Sequence, residues 1–123
     1  MSKRVLVVDD EPNILMSLEF LMKRAGFEVE VARDGRQALA ALEGSPPDLV
    51  LLDVMMPEFD GYEVCARVRE RPEWNETKIV MLTARGRDAE RERGMKAGAD
   101  AYVTKPFSTR ELVEQVKRML AEA

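Results

Sequence analysis

The chain contains no histidine, and that single absence removes several chemistries at once. Ser/His/Asp and Cys/His catalysis by their usual route are excluded, as are His-ligated zinc and any role as the histidine donor in phosphoryl transfer. Whatever reaction occurs must run on carboxylates, hydroxyls, lysine or a metal ion. Cysteine is almost as scarce. Cys65 stands alone, so no internal disulfide forms, and a reducing compartment such as the cytoplasm fits best. No apolar run approaches the roughly 18 residues of a membrane span, and the segment Arg4 to Val8 is too short for the core of a signal peptide. Excess positive charge is missing too: the net charge of -4 argues against direct binding of nucleic acid through this domain.

What is present is ordinary for a soluble globular chain, with 46% apolar and 34% charged residues. The 123 residues make one domain, 1–123, large enough to bury roughly two thirds of its unfolded surface. Short apolar runs alternate five times with segments of helical period. The runs predict strands at Arg4 to Val8, Glu28 to Ala32, Leu49 to Leu52, Ile79 to Leu82 and Ala101 to Thr104.

Between them, Ile14, Leu15, Leu18, Leu21, Met22 and Ala25 share one face of a helix that Pro12 opens and Gly26 closes. A second helix follows Asp34-Gly35, and Gly44-Ser45-Pro46-Pro47 forbids its continuation. A third follows Asp60-Gly61 and ends at Pro72, after which a polar loop runs through Lys78. The fourth, about Asp88 to Lys96, is the least apolar. The fifth starts with Ser108-Thr109-Arg110-Glu111, a capping box. Cys65 falls on the apolar face of the third helix as an inert thiol, the methionines read as packing material, and Trp74 is either a partner contact or tucked against the domain edge.

Near-continuous apolar strands alternating with helices imply an α/β fold, a doubly wound parallel sheet covered on both faces. Ligands in such sheets sit at the carboxyl ends of the strands, where strand order reverses. The first strand is followed by Asp9, Asp10 and Glu11, the third by Asp53, the fourth by Thr83 and the fifth by Lys105-Pro106. If the order is 2-1-3-4-5, Asp9, Asp10 and Asp53 crowd into one pocket with Thr83 and Lys105 beside them. Two carboxylates about 4 Å apart repel by roughly 4 kcal/mol at an effective dielectric near 20.

A divalent cation removes that cost, and an all-oxygen site selects a hard ion, Mg²⁺ or Mn²⁺. Any one Asp can instead be a helix N-cap, although the Val-Met-Met-Pro after Asp53 argues against capping there. Neither Gly-x-Gly-x-x-Gly after the first strand nor Gly-x-x-x-x-Gly-Lys-Ser/Thr anywhere is found, so dinucleotide binding is out. What remains is a metal-assisted reaction with an Asp nucleophile, Lys105 and Thr83 holding the oxygens of a transferred phosphoryl group.

At this point the sequence resembles the CheY-like receiver domains of two-component response regulators along essentially its whole length. The resemblance is carried by Val-Leu-Val-Val-Asp9-Asp10-Glu11-Pro12, Asp34-Gly35, Asp48-Leu-Val-Leu-Leu-Asp53-Val-Met-Met-Pro57, Asp60-Gly61, Thr83-Ala84, Gly98-Ala99-Asp100 and Tyr102-Val-Thr-Lys105-Pro106-Phe107. It implies a flavodoxin-like (βα)5 fold, and Asp53 as the phosphoacceptor for a sensor histidine kinase, a phosphotransfer protein or a small donor such as acetyl phosphate. It implies Mg²⁺ on the carboxylates of Asp10 and Asp53 and the main-chain carbonyl of Met55, with Asp9 acting through water. It further implies that Lys105 pairs with a phosphoryl oxygen, that Lys105-Pro106 is a cis peptide, and that Thr83 and Tyr102 are the switch.

By the same resemblance Met55 and Arg85 tune dephosphorylation; Met55 cannot orient a hydrolytic water and Arg85 shields the phosphoryl group, so self-dephosphorylation is expected to be slow. The protein would catalyse only its own phosphorylation and dephosphorylation and act on a downstream protein or effector domain. Arg91, Glu92, Arg93, Lys96, Asp100, Glu111, Lys117 and Arg118 are either a solvated face or a homodimer surface of the fourth helix, fifth strand and fifth helix. Two rival readings are a small Mg²⁺-dependent phosphohydrolase with an aspartyl nucleophile and a docking module that is no longer phosphorylated. The early aspartates are adjacent, without the intervening residue of an Asp-x-Asp signature, which weakens the first. Every residue the chemistry needs is present, which weakens the second.

Overall fold

The computed structural model of the chain describes residues 3–56, 60–83, 88–104 and 107–121. In it, β1 (Arg4–Val8), β2 (Glu28–Ala32), β3 (Leu49–Asp53), β4 (Lys78–Thr83) and β5 (Ala101–Thr104) alternate with α1 (Pro12–Arg24), α2 (Gly35–Gly44), α3 (Gly61–Arg69), α4 (Asp88–Ala97) and α5 (Thr109–Ala121). The strands form one parallel sheet in the order β2-β1-β3-β4-β5, the α/β arrangement expected from the sequence. The polar loop before β4 contains a 3-10 turn, Pro72–Trp74.

Alternate residues of each strand face opposite layers. Leu6, Val8, Val50, Leu52, Ile79 and Met81 pack with Ala38 and Leu42 of α2 and with Val64, Cys65 and Val68 of α3. Val5, Val7, Leu49, Leu51, Val80 and Leu82 pack with Leu15, Leu18 and Met22 of α1 and with Leu112, Val116 and Leu120 of α5. Because both faces of the central strands are covered, β3 is buried from Leu49 to Asp53, which is why it reads as an unbroken apolar run. Each large aliphatic side chain so buried contributes about 1.5–3 kcal/mol.

The helix starts are fixed by side chains. Glu11 caps α1 by accepting from the amides of Asn13 and Ile14, one residue before the Pro12 that opens it. Asp34 accepts from the Gln37 amide at 2.8 Å while the Gln37 carboxamide accepts from Arg33. Asp60 accepts from the Glu63 amide at 2.9 Å. The Glu111 amide donates to Ser108 Oγ, one half of the predicted capping box. Gly26 closes the turn after α1 with φ 100 and Gly98 the turn after α4 with φ 109, a conformation that other residues adopt only with strain.

Two expectations need correction. The methionines are not uniformly packing material: Met22 and Met81 are fully buried, whereas Met16, Met55 and Met95 are exposed. Met16 follows Leu15 on α1 and so points about 100° away from the buried stripe. Asp100 is exposed and salt-bridged, as a solvated face allows; its carboxylate binds Arg69 at 2.8 Å and also accepts from the Ile79 amide. Strands β3 and β4 also run further than their apolar runs, to Asp53 and Thr83. Trp74 resolves to the tucked alternative: it is buried, with the Arg71 guanidinium 4.3 Å above its ring.

Candidate metal and phosphoacceptor site

Strand register brings the acidic residues together. Val8 pairs with Leu52, so Asp9 and Asp53, each one residue further on, stand side by side where the strand order reverses between β1 and β3. Asp53 in turn pairs with Leu82 of β4, and the Val54 amide donates to the Leu82 carbonyl at 2.9 Å. Thr83 therefore stands one residue beyond the level of Asp53, paired with Thr104 of β5.

One carboxylate oxygen each of Asp9, Asp10 and Asp53 lies within 4.8 Å of the others. Asp9 and Asp53 are buried and Asp10 is exposed, so the cluster is sunk into the sheet end with one open side. Asp9 Oδ1 also accepts from the Glu11 amide at 2.9 Å, which holds the turn after β1 under the cluster. At this separation and an effective dielectric near 20, the two buried carboxylates, Asp9 and Asp53, repel by about 3 kcal/mol, and exposed Asp10 adds less. The donor set is three carboxylates with no nitrogen or sulfur ligand, which fits a hard divalent cation and does not fit zinc or copper.

Thr83 is buried at the rim. Met55 is exposed, two residues beyond Asp53. Tyr102 is buried, its hydroxyl 3.4 Å from that of Tyr62. Lys105, Pro106 and Arg85, named from the sequence as the phosphoryl-pairing lysine, the cis peptide and a dephosphorylation-tuning residue, lie outside the described residues.

Sequence reasoning missed Gly61, which it read only as part of a helix start. A Cβ there would lie 2.6 Å from the Asp53 carbonyl oxygen and 2.9 Å from Val54 Cα, and the Gly61 amide donates to the Val54 carbonyl at 2.9 Å. The first turn of α3 is thus pressed against the backbone of the residue that carries the buried carboxylate. A glycine directly after a capping Asp was the available signal.

Cys65 takes no part in the cluster. It is buried on α3 and donates to the Ala97 carbonyl. Burial first, opposed by the nearby Arg69 charge and reinforced by Asp100, pushes its thiol from 9.0 up to about 11.

A parallel five-stranded α/β sheet with an acidic cluster at its switch point defines a class of signalling module, and sequence comparison agrees. The family described as "Response regulator receiver domain" matches residues 5–117. The chain belongs to that family, CheY-like in fold, and is a receiver domain of two-component signalling. It is 46% identical over 123 residues to the phosphate regulon transcriptional regulatory protein PhoB of Rhizobium meliloti (strain 1021), covering all of this chain and 54% of that protein. The chain thus spans about half the length of this curated relative.

Among solved structures, the BeF3-activated DrrB receiver domain is 36% identical with a TM-score of 0.89, covering 98% of this chain and 99% of that one. The chemotaxis protein CheY4 of Vibrio cholerae is 34% identical with a TM-score of 0.91, covering 97% of this chain and 99% of that one. No helix among the described residues is long and apolar enough to cross a membrane.

Proposed function

We propose that this receiver is a phosphorylation-controlled switch in which Asp53 accepts the phosphoryl group. The observation that carries the reading is the convergence of the Asp9, Asp10 and Asp53 carboxylates within 4.8 Å at the switch point of the sheet. Like charges are gathered there at a cost, and a cation together with an anionic phosphoryl group is the chemistry that uses them. Asp10, Asp53 and the main-chain carbonyl of Met55 would hold Mg²⁺, with Mn²⁺ an acceptable substitute, and Asp9 would support it through water. Bound there, the ion neutralises the clustered charge so that an anionic donor can approach.

Asp53 is the nucleophile. Its carboxylate oxygen bonds to phosphorus as the bond from phosphorus to the donor breaks, and the donor leaves with the electron pair of that bond. The donor is a phosphohistidine on a sensor kinase or phosphotransfer protein, a group this chain does not itself supply; acetyl phosphate serves the same role. Lys105, from its place after β5, pairs with a second phosphoryl oxygen, and a cis Lys105-Pro106 peptide aims it inward. The Thr83 hydroxyl moves to a third oxygen, leaving room beside Tyr102.

That movement alters the surface of α4, β5 and α5, through which a second copy, a downstream protein or an attached effector domain reads the state. The only reactions catalysed are the phosphorylation and dephosphorylation of the protein itself. Met55 offers no polar group to a hydrolytic water and Arg85 shields the phosphoryl group, so the phosphorylated form is long-lived; Met55→Asn shortens its lifetime.

Intact mass after incubation with Mg²⁺ and acetyl phosphate tests the proposal. The wild type gains one phosphoryl group, and neither Asp53→Asn nor wild type freed of divalent ions gains any. Acetyl phosphate turnover without retained mass would mark a phosphohydrolase instead, and no modification at all a docking module.

A further inference from the structure

Beyond the acidic cluster, the first turn of α3 is joined to three elements at once. Gly61 is packed against the backbone of Asp53. Tyr62, the next residue, is buried with its hydroxyl 3.4 Å from the Tyr102 hydroxyl on β5. Over the Tyr62 ring, the Arg93 guanidinium of α4 stacks at 4.3 Å from the centroid. The same guanidinium lies 3.9 Å from the carboxylate of Asp60, the residue that caps α3.

Helix α4 itself has little apolar surface to hold it, its sequence being Asp-Ala-Glu-Arg-Glu-Arg-Gly-Met-Lys-Ala. Its i,i+4 pair Lys96–Glu92 is exposed and contributes a few tenths of a kcal/mol. Among the described residues, this cation stacked on the ring next to Gly61 is one of the contacts that orient the helix, beside the Cys65 bond to the Ala97 carbonyl.

We propose that Tyr62 is a positioning residue that relays the state of Asp53 to α4 by the Arg93 stack and to β5 by the Tyr102 contact, in parallel with the Thr83 route. The relay rests on the reading of Asp53 as phosphoacceptor. Modification of Asp53 shifts the strand end on which Gly61 rests. Tyr62 moves with Gly61, and both of its partners feel the displacement. The two branches are separable, because one uses the ring face and the other the hydroxyl.

Amide hydrogen exchange, measured with and without Mg²⁺ and beryllofluoride as the stand-in for the phosphoryl group, distinguishes the branches. Arg93→Ala removes a side chain that is 65% exposed, so the fold survives. In this variant α4 exchanges roughly 3-fold faster in the free protein, the scale of one exposed cation–π contact. Its response to beryllofluoride is largely lost, while β5 still responds. Tyr62→Phe keeps the ring and the stack, so α4 still responds, but the response of β5 around Tyr102 is reduced. Tyr62→Leu combined with Arg93→Ala affects α4 by less than the sum of the two single changes, because the stack is removed by both.

Equal α4 responses in wild type and Arg93→Ala would overturn the relay while leaving Asp53 as the acceptor. A wild type with no beryllofluoride response anywhere would overturn the acceptor reading and the relay with it.

Discussion

At the amino ends of β4 and β5, Arg69 donates to the carbonyls of Gly98, Trp74 and Thr77 and meets the Asp100 carboxylate at 2.8 Å, while Asp100 also accepts from the Ile79 amide. Nearby, Asp48 accepts from the Arg4 amide at 2.7 Å and the Arg4 guanidinium donates to Ser45 Oγ. At the carboxyl ends of β1 and β3, three carboxylates converge within 4.8 Å. Among the described residues, one end of the sheet sets Arg69 against Asp100 and Asp48 against a backbone amide, and the other gathers three carboxylates. Charge that stabilises the fold and charge held ready for a ligand are told apart by their neighbours, not by residue type.

The contrast is broken most severely by Arg69→Ala. This change leaves the Asp100 carboxylate without its cation and several carbonyls without a donor, and it is expected to lower stability by about 3 kcal/mol in urea denaturation. The site should still take up a phosphoryl group under folding conditions, since the acidic cluster is at the other end. Gly61→Ala comes next. Its Cβ would meet backbone that cannot swing away, so the strand end or the helix must shift, at a cost of about 2 kcal/mol. Here the damage falls on the site itself, and phosphorylation by acetyl phosphate slows as well.

Most of the fold was legible in the sequence because its signals are local. Apolar runs marked the strands, and Asp34, Asp60 and Ser108 marked the helix starts they cap. The acidic cluster was legible because each Asp directly follows a strand and parallel register puts strand ends level. The Arg69 and Asp100 network was not. Arg69 reads as one more charge on a helix, and its partners come from segments whose approach depends on packing. Tyr62 and Arg93 escaped for the same reason: 31 positions separate them in the chain, and only the seating of α4 on α3 brings them together. Strand ends were underestimated at Asp53 and Thr83 because polar side chains there interrupt the apolar pattern without interrupting the ladder.

A smaller effect sharpens the comparison from the interior. Cys65 lies on the buried face of α3, against the sheet, and burial holds its thiol at about 11. It should resist an aromatic disulfide reagent at pH 8 in the folded protein and react at once in urea. The folded-state value lies above the ordinary 9.0. The stability this neutral thiol contributes is therefore complete below pH 9 and is lost as pH rises from 9 toward 11.

Denaturation of wild type and Asp10→Asn across a Mg²⁺ titration tests most directly the claim that the carboxyl end holds like charges together for a cation. Without Mg²⁺ the variant should be more stable than wild type by about 1 kcal/mol, the repulsion of one charge open to water. Added Mg²⁺ should raise wild-type stability with the logarithm of its concentration and leave the variant nearly unchanged. A variant less stable than wild type in the absence of Mg²⁺, or a wild type indifferent to the ion, would contradict the account.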